Sequence, residues 1–67
     1  MKIEFIRKTA ESTTGNCPAL YKREDGRFVI QGWRITDEER AQLRDLAPDE
    51  DAIVVPADVI AGIVAAQ

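Results

Sequence analysis

"ALYKREDGRFVIQGW" (residues 19–33) decides the fold of this chain. Its centre, Asp25-Gly26, lies between two runs that mix aromatic and branched apolar residues with charges, the signature of a β-hairpin. A two-residue type I′ turn needs φ > 0 at both central positions and favours this pair. With that turn Glu24 faces Arg27, Arg23 faces Phe28, Tyr21 faces Ile30 and Pro18 faces Trp33. Directly opposed residues share a face. One face is therefore expected to carry Cys17, Ala19, Tyr21, Phe28 and Ile30, and the other Leu20, Val29 and Trp33 among Lys22 and Gln31. The first has more apolar bulk and is assigned to the core. The second, Trp33 beside Leu20 and Val29 with Lys22 and Arg34 at its rim, has the composition of a partner-binding patch. We read its contact residues as Leu20, Val29, Trp33 and Arg34.

Upstream, "KIEFIRK" (2–8) alternates Ile3, Phe5 and Arg7 with Glu4, Ile6 and Lys8, which predicts another strand. "TAESTTGN" (9–16) is small and polar and reads as a loop. Downstream, "ITDEERAQLRDLAP" (35–48) predicts a helix. Thr36 with Glu39 makes a capping box, Asp37 and Glu38 suit the positive helix start, Leu43, Leu46 and Ala47 form a narrow apolar stripe, and Pro48 ends it. "AIVV" (52–55) predicts a short strand, and Pro56 opens a second helix over about 57–66. After Asp58 this helix has no charge on any side. Val59, Ile60, Ile63 and Val64 make one side, while Ala57, Ala61 and Ala65 make a ridge at i, i+4 and i+8. An uncharged helix in so small a domain predicts a homodimer with Ala57, Ala61 and Ala65 at its interface. The fold class read here is α+β: one domain over residues 1–67, with an antiparallel sheet of three or four strands and two short helices in the order β-β-β-α-β-α.

Charge divides unevenly between the halves. Residues 1–34 carry seven Lys/Arg against four Asp/Glu, and residues 35–67 carry two against eight. The net charge of −3 and this dipolar split argue against bulk attraction to DNA. A nucleic-acid module is the alternative reading, because Lys22, Arg23, Arg27 and Arg34 are interleaved with Tyr21, Phe28 and Trp33. The first residues lack the apolar run of a signal peptide, and "AIVVPADVIAGIVAAQ" (52–67) is too short to span a bilayer, so a soluble, cytoplasmic protein is expected.

Chemistry has few handles. With one cysteine and no histidine, the chain can form neither an internal disulfide nor a His-containing zinc site. Cys17 has no histidine to depress its pKa and no second thiol to resolve an oxidised form, so it reads as a small, partly buried hydrophobe at a strand start. The carboxylates Asp37, Glu38 and Glu39 belong to a helix cap, and Asp49, Glu50 and Asp51 to an exposed connection. No catalytic residue, cofactor or metal is therefore assigned.

Over "STTGNCPALYKREDGRFVIQGW" (12–33) the chain resembles small actinobacterial proteins with a Gly-x-Cys-Pro segment and a returning Val-x-Gln-Gly-Trp strand. Its layout over about 12–64 also resembles the BldB-like family, with a Ser/Gly-rich entry, a strand begun by cysteine, a hairpin, and a late strand running into a final helix. The resemblance implies a developmental or antitoxin-like regulatory role beside a helix-turn-helix partner. The expected function is a non-enzymatic protein-interaction module, accessory to a transcriptional regulator.

Overall fold

A computed structural model of the chain describes residues 1–11 and 17–66. Its hairpin is β2 (Ala19–Arg23) and β3 (Phe28–Gln31), flanked by β1 (Ile3–Lys8) in an antiparallel sheet of order β1-β2-β3. After β3 the chain forms β4 (Trp33–Arg34), α1 (Asp37–Arg40), β5 (Ile53–Val54) and α2 (Ala57–Ala65), with β4 and β5 paired as a separate antiparallel ribbon. The α+β class holds, with the strands divided between two sheets. The loop expected over 9–16 lies outside the described residues at 12–16.

The hairpin turn differs from the expected one. Gly26 has φ +88°, its amide donates to the Arg23 carbonyl, and the Arg23 amide donates to the Arg27 carbonyl at 2.7 Å. This is a three-residue loop, Glu24-Asp25-Gly26, with glycine alone at positive φ, the commonest choice after the two-residue turns. Asp25 fixes it from both sides, accepting from the Arg27 amide at 3.1 Å and pairing with the Arg23 guanidinium at 2.7 Å. The expected Glu24–Arg27 closure is replaced: Glu24 accepts instead from the Lys2 amide at 2.9 Å.

One extra loop residue shifts the pairing by one, to Lys22↔Phe28, Tyr21↔Val29, Leu20↔Ile30 and Ala19↔Gln31. Since side chains alternate with period two, the strands exchange facing partners. Leu20 and Val29, expected on one face, lie on opposite faces. Phe28 and Ile30 join Leu20 and Lys22, while Val29 joins Tyr21 and Ala19. β1 adds Ile3 and Phe5 to the Tyr21 face, opposite Arg23 and Tyr21. At Ile6 a bulge then returns Arg7 to the Leu20 face, against the expected grouping of Ile3, Phe5 and Arg7.

Helix α2 covers the Leu20 face. A Cβ placed on Gly62 would stand 2.7 Å from Arg7 Nε and 3.1 Å from Leu20 Cδ2, so the helix backbone rests directly on these side chains. Arg7 reaches the Asp58 carbonyl and Lys22 the Ala66 carbonyl, at 3.2 and 3.4 Å. The centre is Leu20 and Val59, both fully buried, with Thr9, Pro18 and Ala19. Asp58 locks the helix start to the segment after β1, accepting from the Thr9 hydroxyl at 2.9 Å and the Ala10 amide at 2.7 Å.

The expected strand through Gly32 to Trp33 breaks at Gly32. A Cβ there would come within 2.6 Å of the Val54 carbonyl oxygen and 2.5 Å of Val55 Cγ1. Glycine lets the β5 segment cross close to the end of β3, and Trp33 then pairs with Val54.

Helix α1 starts as expected and stops early. Thr36 Oγ1 accepts from the Glu39 amide at 3.1 Å, and the Glu39 carboxylate accepts from the Thr36 amide at 2.8 Å. Beyond Arg40 the amides of Gln42 and Leu43 bond three residues back, and Asp45 takes φ 50°. The Leu43–Leu46 stripe therefore forms no helix face, and both side chains stay exposed.

Candidate interaction surfaces

The expected patch does not assemble as one surface. Leu20 is fully buried under α2 and presents nothing to a partner. Val29 is half-buried on the sheet face away from α2, opposite Tyr21. Trp33 is 55% exposed on β4, directly across from Val54 at 40%. Arg34, also exposed, pairs with Ile53 and projects from the other side of that ribbon. The one-residue register shift explains the dispersal, because it separates Leu20 from Val29.

Three apolar surfaces result. On the ribbon, Trp33 and Val54 share one side, and Arg40 on Asp51 at 2.5 Å ties α1 to the strand entry. That contact, with the Ala52 amide, holds the Asp51 carboxyl below the usual carboxylate range.

The second surface is the outward strip of α2. Val59 and Gly62 face inward and are buried, whereas Ala57, Ile60, Ala61, Val64 and Ala65 are exposed. Ile60 and Val64, expected alongside Val59, thus flank the alanine ridge on the outside. Their spacing of i, i+3, i+4, i+7 and i+8 is one continuous helical stripe without a charge.

The third is the sheet face opposite α2, with Ile3, Phe5, Tyr21 and Val29 on three neighbouring strands. Sequence reasoning placed Ile3 and Phe5 in a strand without giving them a surface role. The bulge at Ile6, which separates Phe5 from Arg7, has no local signal in "KIEFIRK".

The residues read as a nucleic-acid platform are sorted onto different sides. Lys22 and Phe28 lie together on the α2 side, the ammonium 5.9 Å from the ring centroid. Tyr21 and Arg23 lie on the open side, and Trp33 belongs to the ribbon. A shallow depression of about 420 Å³ at the hairpin end is lined by Lys2, Ile3, Glu4, Lys22, Arg23 and Glu24, charges of both signs. Cys17 is exposed rather than tucked into the core, because its neighbour Pro18 takes the buried position. Among the described residues no three potential metal ligands converge, and no helix is long and apolar enough to cross a membrane.

No family model, curated protein or solved structure matches the chain.

Proposed function

We propose that this chain is a non-enzymatic protein-interaction module, accessory to a transcriptional regulator in an antitoxin-like or developmental role, and a homodimer. The observation that carries the proposal is its surface. Ten large apolar side chains among the described residues are between 38% and 77% exposed, and those of α2 lie on one uncharged stripe.

The regulatory part rests on the resemblance of the layout over about 12–64 to the regulator-associated BldB-like family. The non-enzymatic part is supported by how the carboxylates are used: Glu39 in a cap, Asp25 and Asp51 on arginines, and Asp58 on Thr9 and Ala10. Trp33, beside Val54, remains the partner contact from the expected patch, with Arg34 on the other side of the ribbon, Val29 on a different surface and Leu20 removed. Ala57, Ala61 and Ala65, joined by Ile60 and Val64, supply the dimer contact. Nine residues make a helix only about 13 Å long, so the dimer is expected to be weak, in the micromolar range. The separation of Phe28 from Tyr21 across the sheet gives a nucleic-acid platform less support.

Two measurements test the proposal. Sedimentation equilibrium should show a concentration-dependent dimer that Val64→Glu abolishes without loss of secondary structure, since Val64 is 77% exposed. A wild-type monomer at high micromolar concentration removes the dimer. Affinity capture from native cells should recover a helix-turn-helix regulator, with binding weakened roughly 30-fold by Trp33→Ala, the size of an interface hot spot. Capture of no regulator removes the accessory role.

A further inference from the structure

Burial is concentrated where the sheet meets α2, and the long stretch between them has none. Leu20 and Val59 are fully buried with Thr9, Pro18 and Ala19, whereas none of residues 31–58, all of them described, is buried. Within that stretch Trp33, Leu43, Leu46, Ile53 and Val54 are between 38% and 55% exposed. Among the described residues, the hydrogen bonds of 33–54 close inside the segment. Thr36 and Glu39 exchange two bonds, Arg40 reaches Asp51, the Ala47 amide donates to Glu50, and Trp33 and Arg34 pair with Val54 and Ile53. The flanks, by contrast, are anchored: Gln31 pairs with Ala19 in the sheet, and Asp58 accepts from Thr9 and Ala10. The two flanks meet at Gly32, where a Cβ would lie 2.6 Å from the Val54 carbonyl oxygen, 2.5 Å from Val55 Cγ1 and 3.1 Å from Ile53 Cδ1.

We propose that residues 33–54 form a flap, hinged at the neck between Gly32 and Val55, that opens as a unit while the sheet and α2 stay folded. Local opening costs least where few apolar groups are buried and the backbone bonds face water, which describes this segment. Opening releases the conformational entropy of the segment and gives up no buried side chain of its own. What it gives up is two residue pairs of the ribbon, the close approach at Gly32 and whatever half-buried contact the segment makes. Separating α2 from the sheet would instead expose Leu20 and Val59, so the two openings differ in the apolar surface they release. The Arg40–Asp51 pair ties α1 to the entry of β5, so helix and ribbon move together. The functional consequence, unlike the opening itself, rests on the interaction-module reading. Trp33 and Val54 stand side by side only while the ribbon is paired, so the Trp33 surface exists only with the flap closed. A partner bound there holds the flap shut, and its affinity is reduced by the fraction of chains that are open.

The test is residue-resolved hydrogen exchange of the full chain, without a partner, at urea concentrations below the main transition. Amides of β4, β5 and α1 should exchange roughly 30-fold or more faster than those of β2, with little urea dependence, because their opening exposes little surface. Gly32→Ala sets a methyl group against the Val54 carbonyl and should speed exchange over 33–54 about tenfold, with β2 unchanged. Arg40→Ala leaves the neck alone and should speed the same amides about threefold, the size of an exposed ion pair. Exchange of β4 and β5 at the rate of β2, with the same urea dependence, would overturn the flap. So would loss of β2 protection in Gly32→Ala, which would put the neck inside the global core, or acceleration confined to α1 in Arg40→Ala. Exchange is read on the chain alone, so it separates the two readings. A failed flap with a captured regulator leaves the interaction module standing, and an opening flap with no regulator leaves the flap standing by itself.

Discussion

The two helices reverse the usual relation between local signal and length. Helix α1 has a complete capping box and three acids in its first turn, yet it lasts four residues and buries none of them. Helix α2 has Pro56 at its N-cap with no side-chain bond and no cation in its last turn, yet it runs nine residues. Capping is worth about 1 kcal/mol and starts a helix, whereas most helical stability in proteins comes from packing a face. Leu43 and Leu46 stay exposed; Val59 is fully buried and Gly62 lies on Leu20 and Arg7. Local chemistry sets where α1 begins, and burial sets how long α2 lasts.

The sharpest way to break this contrast is Leu20→Ala. Removing a fully buried leucine should cost about 3 kcal/mol or more, with α2 and the sheet lost in one transition. Urea denaturation followed by far-UV circular dichroism measures it. A small loss would mean that α2 does not depend on this contact.

A smaller effect is expected at the hairpin. Gly26→Val forces a β-branched residue to φ +88° and should cost about 1–2 kcal/mol, lowering the urea midpoint. A midpoint equal to wild type would refute the loop geometry on which the register depends.

The tie between α2 and the segment after β1 predicts a pH dependence. The Ala10 amide and the Thr9 hydroxyl, opposed in part by burial, hold the Asp58 carboxyl below its ordinary value. A lowered folded pKa stabilises the fold above the unfolded value, near pH 4, and this contribution is lost as pH falls through the folded value. Asp58→Asn should therefore be less stable than wild type at neutral pH, with the difference shrinking toward pH 3. Melting temperatures of both proteins across that range provide the check.

The smallest effect tests the other helix. Thr36→Ala removes a well-formed cap, yet global stability should change by less than about 0.5 kcal/mol, because α1 supports no core. Hydrogen exchange at Glu39 and Arg40 should rise while the midpoint holds. A large shift in the midpoint would make α1 part of the cooperative unit and erase the contrast between the helices.

Much of the order of elements was legible locally. The alternation of Ile3 and Phe5, the Asp25-Gly26 turn, the Thr36–Glu39 box and the start at Pro56 each place an element correctly, because each depends on residues close in sequence. The candidate surfaces were less legible. A two-residue and a three-residue loop suit "EDG" equally well by composition, but they differ by one residue in register. That single residue moved Leu20 into the core and away from Val29, and dispersed the expected patch.

By itself, the sequence determined the α+β class, the hairpin, the cap of α1 and the uncharged character of α2, since turn chemistry, capping and periodicity act within a few residues. Only the tertiary structure decided the register, the bulge at Ile6, the early end of α1 and which sides of α2 and the sheet remain uncovered. Those outcomes depend on which faces find apolar neighbours distant in sequence. Leu20 meets α2 across about forty residues of chain, at Gly62, and no local pattern encodes that meeting.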